Sequence, residues 1–375
     1  MALAFAGCGS TTPSPSISAS SAASAVVVPS DAGDSPSPPS SPSASPSPEP
    51  SPSPTPRPAP PGFVSVEGTS FILDGAPFRF SGFDIYQANS RVNCGATMGT
   101  GPALDRALAA VGPAHRVIRA WFFQYLATTN GRRDWSAFDH TLAVAAAHGV
   151  KVIVTLGNQW GSCEAKVSEY KWDGWYRSGY RTEILPGSLV PYRRWVAEVV
   201  TRYARNPTIA MWQLMNEAEV KIAPSTCGPA ADLQAWAADV AGLVKSLDPD
   251  HLLNVGTGGD QCGARGSDYA ALYALPTVDA CEYHDYGHDA EALPGWIARD
   301  IAACGALGKP IFAGEVGIKS ADAGGVAARA SELAAKATAQ TAAGSAGFLV
   351  WSWHSAPRAG SYEVGPGDPL LGTSW

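Results

Sequence analysis

Residues 208–217 read TIAMWQLMNE, a segment in which an apolar run ends on an amide and an acid. A continuous apolar run of this length is typical of a strand buried on both faces, as in parallel sheets covered by helices. In such folds, ligands and reactive groups gather at the carboxyl ends of the strands. We therefore expect Asn216 and Glu217 to lie at a functional site.

Seven further apolar runs share this character, and amphipathic stretches separate most of them. Residues 134–149, for example, end in Gly149, which is typical of the position just after a helix. Eight such strands predict a closed parallel (β/α)8 barrel, the TIM-barrel class of α/β fold. An open doubly wound sheet is the alternative, but no G-x-G-x-x-G motif follows the first run. The seven runs are residues 78–84, 116–123, 150–158, 251–257, 278–284, 309–317 and 346–353.

Two parts of the chain depart from this alternation. Residues 354–375 show no helical period, so we expect the closing helix of the barrel to be short or absent. Residues 10–61 consist almost entirely of Ser, Pro, Ala and Thr, a composition with too few apolar side chains to fold. We expect a disordered linker there, followed by a single catalytic domain over residues 62–375.

The first nine residues, MALAFAGCG, are similar to the end of a bacterial lipoprotein signal, with Ala6 and Gly7 before Cys8. Lipidation of Cys8 would anchor the protein to the outer cell surface. The alternative is that residues 1–9 are the remnant of an ordinary signal peptide, in which case the protein is secreted.

Cysteine usage also indicates export. Residues 62–375 contain an even number of cysteines and no C-x-x-C pair, which favours disulfides over a zinc site or a redox motif. Six cysteines allow 15 pairings. On the barrel architecture we favour Cys94–Cys163, Cys227–Cys262 and Cys281–Cys304.

Composition excludes other classes of protein. The formal net charge of −7 argues against a nucleic-acid partner, which would favour a basic face. No window reaches the roughly 18 consecutive apolar residues that a membrane helix needs. We expect a soluble, monomeric folded part.

Polar and aromatic side chains stand at the ends of six of the eight runs. Two of them are carboxylic acids, and a pair of facing carboxyls is what glycoside hydrolysis requires: one protonates the leaving oxygen while the other attacks the anomeric carbon. An arginine and a tyrosine beside the second acid would keep it ionised. The residues are Arg119, Asn158 with Trp160, Asn216 with Glu217, His284 with Tyr286, Glu315, and Trp351.

Several segments resemble, in the same order, those of the family 5 glycoside hydrolases, which are retaining enzymes with a (β/α)8 barrel. Residues 206–220, NPTIAMWQLMNEAEV, are similar to the family's acid/base strand, and KPIFAGEVG, residues 309–317, to its nucleophile strand. EYHDYGHD, residues 282–289, resembles its His-x-Tyr strand. The resemblance covers nearly all of residues 63–353 and is greatest to the endo-β-1,4-mannanases.

The resemblance implies roles for the residues that end the runs. Glu217 would be the acid/base, Glu315 the nucleophile, and Asn216 the ligand of the sugar's 2-hydroxyl. Arg119 and Tyr286 would flank Glu315, and His284 would contact the substrate or the acid/base. Trp351 would lie beneath the sugar, while Asn158 and Trp160 would bind substrate nearby. The chain departs from the family at Ala218, where many relatives have proline. No cofactor and no metal is implied.

The resemblance leaves several functions open. An endo-β-1,4-mannanase acting on mannan, galactomannan or glucomannan is the leading interpretation. A cellulase and an exo-acting β-mannosidase are the nearest alternatives, and a non-catalytic carbohydrate-binding barrel and a structural wall protein are more distant ones. His284 and His288, with Asp285 and Asp289 nearby, raise a metal site as a further hypothesis. The aromatic residues Trp160, Trp172, Trp175, Tyr176 and Tyr180 would form either a sugar-binding groove or a loop packed on itself.

Overall fold

The computed structural model describes residues 59–91, 94–95, 97–164, 170–288 and 291–373. Cys8, residues 10–58 of the expected linker, and Asp289 lie outside the described residues. The expectations for them remain predictions.

The central sheet has eight parallel strands: β1 Phe80–Asp84, β2 Val117–Trp121, β3 Lys151–Thr155, β4 Ile209–Gln213, β5 Leu252–Asn254, β6 Cys281–Asp285, β7 Ile311–Val316 and β8 Gly347–Val350. Their order in the sheet is β5-β4-β3-β2-β1-β8-β7-β6, which is the order of a (β/α)8 barrel. Between β5 and β6 the main-chain amide of Asp279 donates to the Leu253 carbonyl (2.8 Å), and the amide of His284 donates to the Gly258 carbonyl (2.9 Å). The predicted fold class is confirmed, and each predicted run coincides with one strand, although β6 extends one residue beyond its run.

A helix follows each of the first seven strands. After β8 the only helical element among the described residues is a 3-10 turn, Pro369–Gly372, as the missing helical period predicts. No helix among the described residues is long and apolar enough to span a membrane. The helices are α1 Ala103–Val111, α2 Ser136–Ala147, α3 Tyr192–Tyr203, α4 Ala230–Leu247, α5 Ser267–Tyr273, α6 Gly295–Ala306 and α7 Val326–Ala343.

The loops contain several short helical turns and hairpins. The 3-10 turns Tyr86–Asn89 and Gln124–Ala127 follow β1 and β2, and a π-turn, Trp175–Gly179, continues into the helical turn Tyr180–Thr182 before α3. Two small hairpins pair Thr128–Thr129 with Arg132–Arg133 and Lys221–Ala223 with Thr226–Cys227.

An antiparallel sheet of three short strands lies before β1 and comprises Val64–Glu67, Ser70–Leu73 and Ala76–Pro77. Its Phe71 ring packs on Phe80 of β1 (5.5 Å between centroids) and on Phe312 of β7 (6.3 Å). Burying each such ring stabilises the fold by about 1.5–3 kcal/mol. The amino-terminal end of the barrel is thus filled with apolar side chains, and polar chemistry is left to the opposite end.

Three disulfides link the folded part, with the pairing that we favoured. Cys94–Cys163 joins the segment after β1 to the segment after β3, and Cys227–Cys262 joins the segments after β4 and β5. Cys281–Cys304 ties the start of β6 to α6. Two of the three therefore hold loops at the carboxyl end of the barrel.

Candidate active site

Arg119 lies at the centre of the barrel, fully buried on β2. Its Nη1 donates to Glu315 Oε1 (2.6 Å) and Asp84 Oδ1 (2.9 Å). Its Nη2 donates to Asn216 Oδ1 (2.6 Å) and its Nε to Gln213 Oε1 (2.7 Å). Burial alone would lower the pKa of Arg119, but Asp84 and Glu315 raise it, so the guanidinium stays charged. This cation fixes four side chains that come from three other strands or their ends.

Glu315, near the end of β7, is buried and meets donors at both carboxylate oxygens. Arg119 donates to Oε1 and the Tyr286 hydroxyl donates to Oε2. Burial raises the pKa of Glu315, while the charges of His284 and Arg119 oppose that rise. A guanidinium cannot accept a hydrogen bond, so a proton on Oε1 would have no acceptor at Arg119, and the guanidinium charge 2.6 Å away stabilises the anion. The geometry therefore favours the carboxylate anion.

Glu217 follows β4 and adopts a left-handed backbone conformation, with φ of 53°. Non-glycine residues rarely do so, and strain of this kind is found mostly at functional sites. The turn depends on Gly256, because a Cβ at that position would lie 1.6 Å from the Met215 carbonyl oxygen. The close packing of the two loops aims the Glu217 side chain over the barrel.

The Glu217 carboxylate accepts two hydrogen bonds. The Trp160 indole donates to Oε2 (2.5 Å), and His284 Nδ1 lies 3.0 Å from Oε1. Burial alone would raise the pKa of Glu217, but the hydrogen bond and charge of His284 outweigh burial and lower it. Both acids thus have polar partners, but the Glu217 side chain is 18% exposed to solvent whereas that of Glu315 is 3% exposed.

His284, at the end of β6, lies between the two acids. Its Nδ1 is 3.0 Å from Glu217 Oε1 and 3.7 Å from Glu315 Oε2. Its Nε2 is 3.3 Å from Glu282 Oε1. Burial alone would lower the pKa of His284, but Glu315, Glu217 and Glu282 together raise it to about 10. The imidazole therefore holds a proton between the two carboxylates at neutral pH.

Glu217, His284 and Glu315 each offer one ligand atom, and these atoms lie within 4.8 Å of one another. Three such atoms could hold a metal ion. Here, however, the buried Arg119 and the protonated His284 already supply positive charge, so we assign the three residues to acid–base chemistry. The hypothesis of a metal site at His284 and His288 needs Asp285 as a neighbouring ligand. Asp285 Oδ2 instead accepts hydrogen bonds from Lys336 (2.9 Å) and Gln340 (2.7 Å), which does not support that site.

The ends of β3 and β4 bring Asn158 and Asn216 together. The side-chain Nδ2 of Asn216 donates to Asn158 Oδ1 (3.1 Å), and the main-chain N–H of Asn216 donates to the Gly157 carbonyl (2.7 Å). Since Arg119 donates to Oδ1 of the Asn216 side chain, the orientation of the side-chain amide is fixed. Trp160, which follows, keeps 38% of its surface exposed beside Glu217.

Trp351, directly after β8, forms an aromatic wall on another side of the site. Its ring stacks on Tyr86 with 5.1 Å between centroids and 13° between planes, and lies 5.9 Å from Trp121. The ring is partly exposed, and a flat exposed aromatic face suits the C–H face of a sugar.

Some aromatic residues of the loop after β3 pack within the protein, and others are exposed as a sugar-binding groove would require. Trp175, Tyr176 and Tyr180 are buried and pack as core, whereas Trp160 and Trp172 are each 38% exposed. Tyr170 connects the two exposed rings, with centroid distances of 5.4 Å and 4.5 Å. Only the outer part of the loop thus presents aromatic faces to solvent among the described residues.

Sequence reasoning missed three buried polar residues of the site: Asp84, Gln213 and Glu282. Asp84 ends β1, and the rule that selected the other strand ends would have found it. Gln213 and Glu282 lie within apolar runs, and the only feature of the sequence that could have identified them is that each is a single polar residue in such a run. Gln213 connects Arg119 to Glu282 through its two amide atoms (2.7 Å and 2.6 Å).

Known proteins agree with this architecture. Residues 114–357 match the family model described as cellulase (glycosyl hydrolase family 5). The chain is 27% identical over 300 residues to the probable mannan endo-1,4-beta-mannosidase F of Aspergillus flavus, and the match covers 68% of this chain and 61% of that protein. It is 27% identical over 292 residues to mannan endo-1,4-beta-mannosidase A of Podospora anserina, covering 68% and 74%. The chain thus spans less than two thirds of the length of the Aspergillus protein.

Solved structures are similar in fold. The endo-1,4-beta-mannanase from Rhizomucor miehei superimposes with a TM-score of 0.67 at 20% identity, covering 83% of this chain and 97% of that one. The hyperthermostable endo-1,4-beta-D-mannanase from Thermotoga petrophila gives a TM-score of 0.61 at 21% identity, covering 78% and 97%.

Proposed function

Because this chain belongs to glycosyl hydrolase family 5, we propose that it is a retaining endo-β-1,4-mannanase that cleaves mannan, galactomannan and glucomannan. The observation that carries the proposal is the pair Glu217 and Glu315, with one oxygen of each within 4.8 Å of the other. Retaining glycosidases place their two carboxyl groups about 5–5.5 Å apart, whereas inverting enzymes leave room for a water between them.

In the first step a Glu315 oxygen attacks the anomeric carbon and forms a bond to it, while the bond from that carbon to the leaving oxygen breaks. Glu217 gives a proton to the leaving oxygen. In the second step a water molecule attacks the anomeric carbon, Glu217 takes a proton from it, and the bond to Glu315 breaks. Two inversions give net retention of configuration.

The different surroundings of the two acids support these roles. Glu315 accepts from Arg119 and Tyr286, which stabilise the anion that attacks. Glu217 shares a hydrogen bond with His284, and this pair holds the proton that the leaving oxygen needs. Asn216, fixed by Arg119 and Asn158, is the proposed ligand of the sugar's 2-hydroxyl, and Trp351 the proposed platform beneath the sugar.

The choice of mannan rests on the similarity to the named mannan endo-1,4-beta-mannosidases. The test is to incubate the protein and its Glu315→Ala variant with galactomannan, glucomannan and carboxymethyl cellulose, following reducing ends and viscosity. A rapid fall in viscosity on the two mannans, absent in the variant, is expected. Activity on carboxymethyl cellulose alone would point to a cellulase, and reducing ends from none of the three would overturn the proposal.

We also propose that the protein acts outside the cytoplasm on its polysaccharide as a monomer. Its three disulfides support this location, since such bonds persist in oxidising compartments. Anchoring through Cys8, with residues 10–61 as a spacer, is the corresponding proposal for attachment to the outer cell surface.

A further inference from the structure

Glu282 is a carboxylate near the start of β6 that has no part in the proposed reaction. It is fully buried, and burying a carboxylate is costly unless its oxygens are hydrogen-bonded. Both oxygens have partners: Oε2 accepts from Gln213 Nε2 (2.6 Å), and Oε1 lies 3.3 Å from His284 Nε2. A buried acid that contacts a residue of the site calls for a functional explanation.

The barrel makes room for this carboxylate. A Cβ at Gly314, on the neighbouring strand β7, would lie 1.7 Å from Glu282 Oε1. Because glycine has no Cβ, the oxygen can reach the imidazole at that point. The position of Glu282 therefore depends on a matching residue of the adjacent strand.

His284 is held between carboxylates at both ring nitrogens, with Glu217 at Nδ1 and Glu282 at Nε2. A neutral imidazole can donate from only one nitrogen, whereas an imidazolium donates from both. Two acidic acceptors on opposite sides of the ring therefore select the protonated form. The three side chains form a line from the interior of the barrel to the proposed acid/base.

We propose that Glu282 is a positioning residue for glycoside hydrolysis: its charge keeps one proton on the pair formed by His284 and Glu217. This proton moves from His284 Nδ1 to Glu217 Oε1 across their hydrogen bond, and Glu217 then gives it to the leaving oxygen. The inference rests on the proposed function and deepens it. Glu282 acts through His284 and does not touch the reacting atoms.

Other charged or titratable groups lie near Glu282, His284 and Glu217 and also affect the protonation of His284. Arg119 Nε lies 3.8 Å from Glu282 Oε1, and Glu315 Oε2 lies 3.7 Å from His284 Nδ1. The Tyr269 hydroxyl donates to the Glu282 carbonyl oxygen (2.9 Å). The remaining facing groups are Asp84 from β1, Tyr273 from α5, and Glu217 after β4.

The test is the pH dependence of kcat/KM for the full chain and its Glu282→Gln variant. Glutamine keeps the size of the side chain and removes the charge. We expect the alkaline limb of the variant to move to lower pH by about 1–2 units, as loss of an opposite charge next to the imidazolium predicts. An aryl mannoside with a good leaving group needs no proton from Glu217, so its hydrolysis should be affected far less than that of an alkyl mannoside.

Asp248→Asn is the matched control. Asp248 is buried and accepts from His251 Nδ1 (2.6 Å) and Trp212 Nε1 (2.7 Å) at the amino-terminal end of β5, away from the site. Loss of this carboxylate–histidine pair should lower the melting temperature but leave the pH profile in place. An equal fall in rate at every pH and with both leaving groups in Glu282→Gln would mean a purely structural role and overturn the inference.

A measurement on the unsubstituted protein covers the case in which Glu282→Gln does not fold. Nitrogen NMR of the imidazoles, with the His284 signal identified from a His284→Gln sample, should show both ring nitrogens protonated at pH 8. A neutral His284 at that pH would overturn the inference. Absence of any glycosidase activity in the unsubstituted protein would instead overturn the proposed function, so the two failures are distinguishable.

Discussion

At the scale of single residues, the role of Glu217 can be separated from that of Glu315 by the leaving group. In Glu217→Gln no proton is available for the departing oxygen, so kcat on mannan should fall by on the order of 10²–10⁴. Hydrolysis of an aryl mannoside with a nitro-substituted phenol should lose much less in its first step, because that phenolate leaves without protonation. The measurement is kcat/KM for both substrates.

Glu315→Gln is the matched comparison for that experiment. It should lose activity on both substrates alike, because it removes the group that attacks the anomeric carbon. An equal loss on both substrates in Glu217→Gln as well would contradict the assignment of Glu217 as the acid.

His284 also links stability to pH. Its pKa is raised to about 10 in the folded protein, against an ordinary value of 6.5. The stabilisation that it contributes is therefore fully present below about pH 6.5 and is lost as pH rises through 10. Urea unfolding of the protein and of His284→Gln between pH 6 and pH 10 should show the difference in unfolding free energy narrowing as pH rises. A constant difference would contradict a protonated His284.

The sequence predicted the site unevenly at this scale, for a physical reason. Glu217 and Glu315 follow apolar runs, and the rule that parallel strands share one active edge brings them together. Gln213 and Glu282 lie inside apolar runs. Whether their side chains face the interior of the barrel or the surrounding helices depends on strand register and barrel closure. Their 2.6 Å contact joins residues 69 positions apart, and no local pattern encodes it.

At the scale of elements, the segment after β8 takes the place of a closing helix. Arg329 of α7 holds it: the guanidinium pairs with Asp368, and its Nη1 donates to the Glu363 carbonyl (2.9 Å). The side chains of Arg329 and Asp368 are only 1% and 5% exposed. The lack of helical period predicted that a helix would be missing, but the structure that replaces it depends on these distant partners.

Arg329→Met should therefore destabilise the protein by about 3–5 kcal/mol, the usual result of leaving one buried charge unpaired. The measurement is chemical unfolding, with limited proteolysis to locate the loosened segment after residue 353. Arg194→Met is the control, because Arg194 is 73% exposed and its partner Glu198 is 29% exposed, so no buried charge loses its partner. Equal stability of the two variants would contradict an anchoring role for Arg329.

The loop after β3 shows where prediction at the element scale ends. Its aromatic residues were open to two interpretations, since a ring stacks equally well on a sugar or on another ring. Trp175 is buried against Tyr192 of α3 and Trp236 of α4, at 5.3 Å and 6.2 Å. Packing against these helices, which the local sequence does not specify, decided which rings remain at the surface.

At the scale of the whole molecule, the start of the folded part can be located from its contacts. The Gly62 amide donates to Asp74 Oδ1 (2.7 Å), and Lys151 Nζ donates to the Gly62 carbonyl (2.6 Å). The Phe63 ring packs on His251 with 4.5 Å between centroids. Residues just before the first strand thus bind to the amino-terminal end of the barrel.

A chain that starts at Ala59 should therefore match the full chain in melting temperature and in activity on soluble galactomannan. A chain that starts at Val64 loses the contacts of Gly62 and Phe63, and should melt several degrees lower, since about 1 kcal/mol corresponds to roughly 2–4 °C at this size. Its kcat should stay unchanged, because those contacts lie at the end of the barrel opposite Glu217 and Glu315. Lower activity of the Ala59 chain on the soluble substrate would instead mean that residues 1–58 contribute to catalysis, and would contradict their proposed role as an anchor and spacer.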